Sequence, residues 1–473
     1  MNRPLAHVLL LAIATAAALA PAPTARAADR PNVLLILADD LGVGDLRAYA
    51  PDSKVPTPNL DKLAAGGTRF TNAYCPVSVC SPTRYALMTG RYPWKSWKKN
   101  GVLANWDRPM IEPGRLTLPA MLRKAGYATA GLGKWHLGAT YKTTDGKPPA
   151  GLGQFKSDGT GANIDIAAPV TGGPTDRGFD TWYGFVCASE MLILDQDKVA
   201  GLLSHSLYAP PAVPGANDLP KVTVAGLLPL ITDKGMAYLN ERAKHKDQPF
   251  LLYYAPYVPH IPLAVGDDFR GKTRAGDYGD YVHQLDHEIG RLLAALDQTG
   301  LAKDTLVIFA SDNGSEFQTS GDGHKPNGGL RGRKHHIYEA GIRTPLVARW
   351  PGRVPAGATT DQLVALNDWL ATLAALTGQT LPPGAGEDSI SFLPALLGQQ
   401  GGAGRAELLM QASAPRFALR RGNFKWIQPA KKGEGPGELY DLAADPAEAK
   451  DLAAEKPDLA AEMKARLIEL VKK

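Results

Sequence analysis

PNVLLIL, residues 31–37, runs without a break into Ala38, Asp39 and Asp40. From Val33 onward it shows no polar alternation, which describes a strand buried on both faces of a parallel sheet. TLVIFA, at 305–310, repeats the design and ends in Ser311, Asp312, Asn313 and Gly314. PFLLYYA, at 249–255, is a third such strand and leads into a proline-rich turn over 256–262. Helical periodicity occupies 60–66, 116–125, 231–242 and 278–296. Strands that alternate with helices predict an α/β fold, a large doubly wound domain on a mixed sheet. In such folds the site lies just past the carboxyl ends of the strands. Asp39, Asp40, Asp312 and Asn313 are therefore the first candidates.

The chain has 473 residues, enough for two domains. A helical stretch over 362–376 is followed by Leu381, Pro382, Pro383 and Gly384, which mark a boundary. This predicts an N-terminal catalytic domain over 28–380 and a smaller C-terminal α+β domain over 381–473. In the latter, 416–419 and 424–428 read as short antiparallel strands. Leu459, Met463, Leu467 and Leu470 form the packing stripe of a last helix. Residues 143–175 and 205–220, rich in Gly, Pro and small residues, read as long surface loops over the site. The net charge of +5, with no Lys/Arg run longer than a pair, argues against a nucleic-acid partner.

Arg3, the apolar run 9–20 and the small-x-small triplet Ala25, Arg26, Ala27 read as a secretory signal peptide over 1–27. The run is short against the roughly 20 residues of a membrane span. The mature protein is thus expected to be exported, periplasmic or secreted, with no stable membrane span. The chain has three cysteines, Cys75, Cys80 and Cys187, and an odd number in an exported protein leaves one unpaired.

CSPTR, at 80–84, is the most informative short segment. Pro82 suits a first helical turn, which places Cys80 just before a helix amino terminus. That end carries partial positive charge and free N–H groups and favours an anion. Arg84, one turn on, adds a planar five-donor fork. The pattern describes a nucleophile held where a tetrahedral anion binds; the plainer alternative is a buried structural cysteine. Asp39, Asp40, Asp312 and Asn313 offer hard oxygen ligands suited to Ca²⁺ or Mg²⁺. Either pair alone serves equally as an N-cap or Asx-turn, but two pairs after matching strands point to a metal.

A basic group completes the candidates: Lys134 and His136 in GKWHLG (133–138), His260 in PHIP (259–262), and Lys334 in RGRK (331–334). Glycines flanking Lys134 and His136 suggest a tight turn that presents both side chains. Lysines beside a metal and an anion site can neutralise sulfate or phosphate. His205, His324, His335 and His336 read as surface or loop residues. Trp97, Trp106 and Trp182 can stack on a sugar or aryl ring, although tryptophans more often pack in cores.

With these segments in order, the chain resembles the type I, formylglycine-dependent sulfatases, arylsulfatase-like members of the alkaline phosphatase superfamily. NVLLILADDLG, CSPTRYALMTGRYP, GKWHLG, PHIP, VIFASDNG, GGLRGRKHHIYEAGIRTP and ELYDLAADPAE carry the resemblance across nearly the whole mature chain. It implies an alkaline-phosphatase-like catalytic domain and hydrolysis of aryl or carbohydrate sulfate monoesters. It further implies that a separate maturase oxidises Cys80 to formylglycine, whose hydrate supplies the attacking oxygen. This accounts for the odd thiol and leaves Cys75 and Cys187 as a pair able to bridge. By the same resemblance, Asp39, Asp40, Cys80, Asp312 and Asn313 surround a divalent cation, usually Ca²⁺, with Mg²⁺ as the other option. Arg84 stabilises the hydrate. Lys134 and Lys334 hold the sulfate. His260, with Lys334, protonates the leaving alcohol. His136 takes a proton from the second hydroxyl.

Two departures stand out. Ala340 replaces a glycine of the family pattern, which is tolerable unless φ is positive there. Gly178 to Gly184 matches a segment that precedes a further polar sulfate contact, for which Ser189 is the candidate. Two alternatives stand beside this reading: a phosphate or phosphonate monoester hydrolase of the same superfamily, and a sulfated-glycan-binding protein without turnover.

Overall fold

The computed structural model describes residues 30–156, 158–399, 404–430 and 435–472. The expected signal peptide, 1–27, lies outside the described residues.

The large sheet contains β1 (Asn32–Ala38), β2 (Thr68–Phe70), β4 (Ala128–Lys134), β5 (Thr181–Phe185), β6 (Leu192–Asp195), β7 (Lys198–Ser204), β8 (Lys221–Thr223), β9 (Phe250–Ala255), β10 (Thr305–Ser311), β11 (Leu346–Arg349) and β12 (Ala358–Thr360). The short β3 (Ala73–Tyr74) pairs outside it with β13 (Val364–Ala365). The order across the sheet is β12-β2-β11-β10-β1-β9-β4-β5-β6-β7-β8. The central run β10, β1, β9, β4, β5 is parallel. Antiparallel β11 and β6 flank it, so the sheet is mixed. Every residue of β1, β9 and β10 is buried, as their apolar composition requires.

Helices α1 (Pro58–Ala65), α2 (Cys80–Thr89), α3 (Leu118–Lys124), α4 (Val224–Arg242) and α5 (Gly276–Gln298) pack around the sheet. Two expected helices change their starts. α4 begins at Val224 rather than 231, with Thr223 as N-cap accepting from the Gly226 N–H at 3.0 Å. Pro229 sits inside it at the cost of one intrahelical bond, which hides the first two turns from a periodicity reading. The stretch 362–376 is α-helical only over Trp369–Leu376, after a 3-10 turn at Leu366–Asp368, because Val364 and Ala365 pair with Ala73 and Tyr74.

β14 (Glu407–Gln411), β15 (Phe417–Arg421), β16 (Phe424–Ile427) and β17 (Glu438–Asp441) form a separate four-stranded antiparallel sheet. The final helix, Pro457–Lys472, lays Met463 and Leu467 on it. A buried charge network joins this sheet to the short helix Glu339–Ile342 that precedes β11. Lys425 on β16 contacts Glu339 at 3.1 Å and Glu448 at 2.7 Å, and Arg343 meets Glu339 at 2.7 Å. Ala340 lies in the short turn of helix Glu339–Ile342 with no positive φ, so the methyl group is accommodated. Among the described residues no helix is long and apolar enough to cross a membrane.

Candidate active site

The carboxyl ends of β1, β10, β4 and β9 converge on one crevice. Asp39 and Asp40 follow β1, Asp312 and Asn313 follow β10, and Lys134 closes β4. The backbone ties these ends together: Asp312 N–H donates to Ala38 O, and Asp39 N–H to Val258 O, each at 3.1 Å. Asp40 turns through the left-handed region at φ 67°, which is uncommon for a non-glycine residue. The chain therefore kinks as it leaves the strand. Gly133 lies within β4 and not in the turn expected from its flanking position. A Cβ there would stand 2.1 Å from Ala255 O, so only glycine lets β4 approach β9 this closely.

Cys80 is the first residue of α2 and 2% exposed. It lies one position further into the helix than the sequence suggested. All ten residues of α2 are buried, and Gly90 at φ 64° ends the helix as a left-handed cap. Arg84 points back along α2 into the crevice. Its guanidinium donates to Asp312 Oδ2 at 2.8 and 3.0 Å, to Lys134 O at 3.1 Å and to the Tyr253 hydroxyl at 3.2 Å. Tyr253 on β9 was not singled out in the sequence. Its position in an apolar strand hid it, since only the three-dimensional pairing of β9 with β1 and β4 shows where its hydroxyl points.

Three ion pairs fill the crevice. Lys134 Nζ lies 2.5 Å from Asp39 Oδ2, Lys334 Nζ lies 2.6 Å from Asp40 Oδ2, and Arg84 holds Asp312. Burial raises the Asp39 carboxyl pKa, but Lys134, His260 and Arg84 outweigh it and hold the group ionised. Asp40 is lowered likewise, with Lys334 outweighing burial. Asp312 is pushed well up by burial and by the Asp39 charge, despite Arg84. Three carboxylates at this spacing are costly without cations, and Asp312 carries the unrelieved part.

The oxygen set fits a hard divalent cation. Asp39 Oδ1 and Asn313 Oδ1 are buried and have no hydrogen-bond partner. The Asn313 amide nitrogen donates to Asp40 Oδ1 at 2.7 Å and to Gly314 O at 2.9 Å, leaving its carbonyl oxygen unused. Ligand atoms of Asp39, Cys80 and Asp312 lie within 4.8 Å of one another, as do those of Asp39, Asp40 and His260. Orphaned buried oxygens beside mutually repelling carboxylates are what a Ca²⁺ or Mg²⁺ would satisfy.

The histidines divide. His136 stands at φ 54°, and its Nε2 meets Leu103 O at 3.0 Å. Because that carbonyl only accepts, Nε2 donates to it, and Nδ1 is buried without a hydrogen-bond partner. His260 Nε2 is 3.7 Å from Asp40 Oδ2, while Nδ1 contacts its neighbour Ile261 O at 2.6 Å. Burial and Lys334 push its pKa down to about 3. His335 and His336 are exposed as expected. His205 and His324, expected at the surface, are buried. His205 packs against Tyr208 and Tyr257, and His324 meets Asp45 Oδ1 at 2.9 Å, which Tyr278 also holds.

Ser189 faces elsewhere: its hydroxyl meets Asn105 Oδ1 and lies 3.3 Å from Cys187 Sγ, with no bond to the charged cluster. The expected Cys75–Cys187 bridge is absent and all three cysteines are free. Cys75 Sγ contacts Ile342 O at 3.3 Å, beside β3, while Cys187 sits next to Ser189. Trp182 is core, packed with Trp135 and Phe179, and Trp106 is also buried.

Neighbouring Glu190 was not foreseen. It accepts from Trp106 N–H at 2.7 Å and from the Tyr141 hydroxyl at 2.8 Å, and burial raises its pKa to about 8. A raised carboxyl stabilises the fold fully below its unfolded pKa, and the contribution is lost as pH rises through 8. Glu190→Gln keeps an acceptor for Trp106, and its amide can donate to the Tyr141 oxygen. The variant should therefore lose less thermal stability than the wild type between pH 5 and pH 8, read from melting curves across roughly that range. Parallel curves for the two proteins would count against this.

Comparison with known proteins meets this geometry. The family profile "Sulfatase" matches residues 31–379, and "N-sulphoglucosamine sulphohydrolase, C-terminal" matches 332–473. The chain belongs to the sulfatase family. It is 31% identical to the N-acetylgalactosamine-6-O-sulfatase of Bacteroides thetaiotaomicron, over 94% of this chain and 93% of that one. It is 35% identical to human arylsulfatase A, over 93% of this chain and 85% of that one. A solved B. thetaiotaomicron sulfatase, from a core genetic locus for metabolism of multiple glycosaminoglycans, superposes with a TM-score of 0.80 at 28% identity. The superposition covers 94% of this chain and all of that one. This sulfatase is a sulfuric ester hydrolase with the mixed sheet and small C-terminal sheet of those relatives.

Proposed function

We propose that this sulfatase hydrolyses sulfate monoesters of carbohydrate or aryl alcohols through a formylglycine made from Cys80, with Ca²⁺ held by Asp39, Asp40, Asp312 and Asn313. The observation that carries it is the position of Cys80 at the start of α2, within 4.8 Å of ligand atoms of Asp39 and Asp312. Similarity to an N-acetylgalactosamine-6-O-sulfatase favours a sulfated glycan as substrate. Cys80 is nearly inaccessible in the folded chain, so a maturase must reach it before folding is complete.

Charge balance supports the assignment. The crevice holds three carboxylates and three cations, Arg84, Lys134 and Lys334. A divalent cation would add two positive charges, the sulfate monoester brings one negative charge, and ionisation of the hydrate oxygen supplies the second, so all three fit without leaving a buried excess. Bound there, the cation neutralises the carboxylates and polarises the sulfate oxygens. The formylglycine hydrate supplies the oxygen nucleophile and, through its second hydroxyl, an internal exit for sulfate. Arg84, held by Asp312 and Lys134 O, orients that hydrate. Lys134 and Lys334 have flexible ammonium heads able to grip the sulfate oxygens. Lys334, beside Asp40, gives the departing alkoxide its proton, and His260 stands next to it at the same carboxylate. His136, its Nδ1 unpartnered, accepts the proton released as sulfate departs.

The phosphate-ester alternative is tested by assaying 4-nitrophenyl sulfate beside 4-nitrophenyl phosphate on protein from a host with maturase activity. Sulfate turnover should exceed phosphate turnover by about 100-fold or more, the range a site gains when its charge and donors match one anion. Faster phosphate hydrolysis would overturn the reading. The cation has its own test. Calcium at about 100 times its dissociation constant adds about 2.7 kcal/mol to stability. Chelator should therefore lower the melting temperature of the wild type and leave Asp312→Ala unchanged. Identical wild-type melting with and without chelator would remove the metal from the site.

A further inference from the structure

Beside the charged floor, four aromatic rings from two loops lie against one another in sequence, one pair stacked and two pairs tilted. His260 lies on Tyr257, with ring centres 4.6 Å apart and planes at 27°. Tyr257 meets His205 at 6.1 Å, and His205 meets Tyr208 at 4.6 Å. The inner end is tied to the sulfate-binding machinery, for Lys134 Nζ lies 5.0 Å from the Tyr257 ring centre. The outer end stays within electrostatic reach of the same floor, because the charges of Lys134 and Lys334 act on the Tyr208 hydroxyl. His205 and Tyr257 are buried, so they act as supports; Tyr208 is half-buried and presents ring surface.

Two large apolar side chains border this row. Leu207 is 53% exposed and Ile261 is 39% exposed, and each adjoins an end ring, Tyr208 and His260. They come from different loops, after β7 and after β9, and each is the chain neighbour of an end ring. An apolar rim around a supported aromatic face matches a ligand with a flat, partly apolar ring. His260, at the inner end of the row, and Lys334 share the Asp40 carboxylate at 3.7 and 2.6 Å, so the row begins where the basic floor of the crevice ends.

We infer that the row His260–Tyr257–His205–Tyr208 is the platform for the alcohol half of the substrate, with Tyr208 stacking on the ring that bears the sulfate ester. Tyr208 is a specificity-determining residue here, and His205 and Tyr257 are positioning residues that fix its angle. The inference deepens the sulfatase reading and rests on it. The platform selects cyclic over acyclic sulfate esters, and the ring is either a pyranose with an exposed C–H face or an aryl group.

Equilibrium binding to calcium-loaded Cys80→Ala protein tests this without turnover. The probes are methyl sulfate, phenyl sulfate and a 6-sulfated hexosamine, measured by calorimetry. A ring-bearing sulfate should bind about tenfold more tightly than methyl sulfate, the scale of one good aromatic contact. Cys80→Ala/Tyr208→Ala should erase that preference while leaving methyl sulfate affinity unchanged, and Cys80→Ala/Tyr208→Phe should keep it. If phenyl sulfate alone gains from Tyr208, the platform is for aryl rings; if the hexosamine gains, it is for sugars. Retention of the full ring preference after Tyr208→Ala overturns the platform, as does an equal loss for methyl sulfate. Failure of all three probes to bind the parent protein sinks the sulfatase reading, and the platform with it.

Discussion

Cys80→Ala will lower kcat by about 10⁴-fold or more and leave the fold intact, because it removes the reacting atom and little else. Cys80 is the first residue of α2, and its side chain makes no hydrogen bond that the helix depends on. Replacing one small buried side chain by another at a helix start leaves the Arg84–Asp312 pair and the lysine–aspartate pairs untouched. The variant should therefore keep its melting temperature within a few degrees and still gain stability from calcium. Turnover loss of this size with binding retained separates a missing nucleophile from a damaged site. Hydrolysis by the variant at a rate near that of the wild type would remove Cys80 from the chemistry.

Lys425→Met should cost about 3–5 kcal/mol of stability, the cost of removing one partner from a buried charge network. The ammonium is fully buried between Glu339 at 3.1 Å and Glu448 at 2.7 Å. Glu339 keeps Arg343 and the Tyr74 hydroxyl, each at 2.7 Å, so it can stay ionised. Glu448 is held up by burial, and without Lys425 it must take up a proton or remain as an unpaired buried charge. Since the network joins β16 to the Glu339 turn of the catalytic part, the small sheet should loosen first. Urea unfolding of Lys425→Met should show an earlier midpoint, and adding Glu448→Gln should restore part of the loss. An unchanged midpoint would mean the network is energetically neutral.

The strand ends were the most legible part of the site. Val33–Leu37 and 305–310 are apolar enough to be buried strands on sight, and the polar residues that stop them stand at the sheet edge for that reason. Lys134, His136, His260 and Lys334 were found as short motifs in order, and the structure brings Lys134, His260 and Lys334 onto the same two aspartates. What the sequence hid depends on distance between remote segments. The resemblance, by assigning Cys80, left Cys75 and Cys187 as a pair able to bridge, but it says nothing about their separation, and each thiol rests against its own neighbours. Ser189 lies in a stretch with no periodicity to set its direction, and it turns towards Asn105. Tyr208 lies in a proline-rich loop, where only its packing on His205 gives it a role. Pro229 masked the start of α4 because a proline inside a helix reads as a break.

The central claim is that Cys80 is converted into the nucleophile, and the mass of the tryptic peptide 70–84 from protein made with its maturase tests it most directly. Conversion of the cysteine to formylglycine should lower the peptide mass by about 18 Da, the change from a thiol-bearing carbon to an aldehyde. Fragment ions should place the loss at Cys80. An unmodified thiol in protein that nevertheless hydrolyses sulfate esters at full rate would contradict the account.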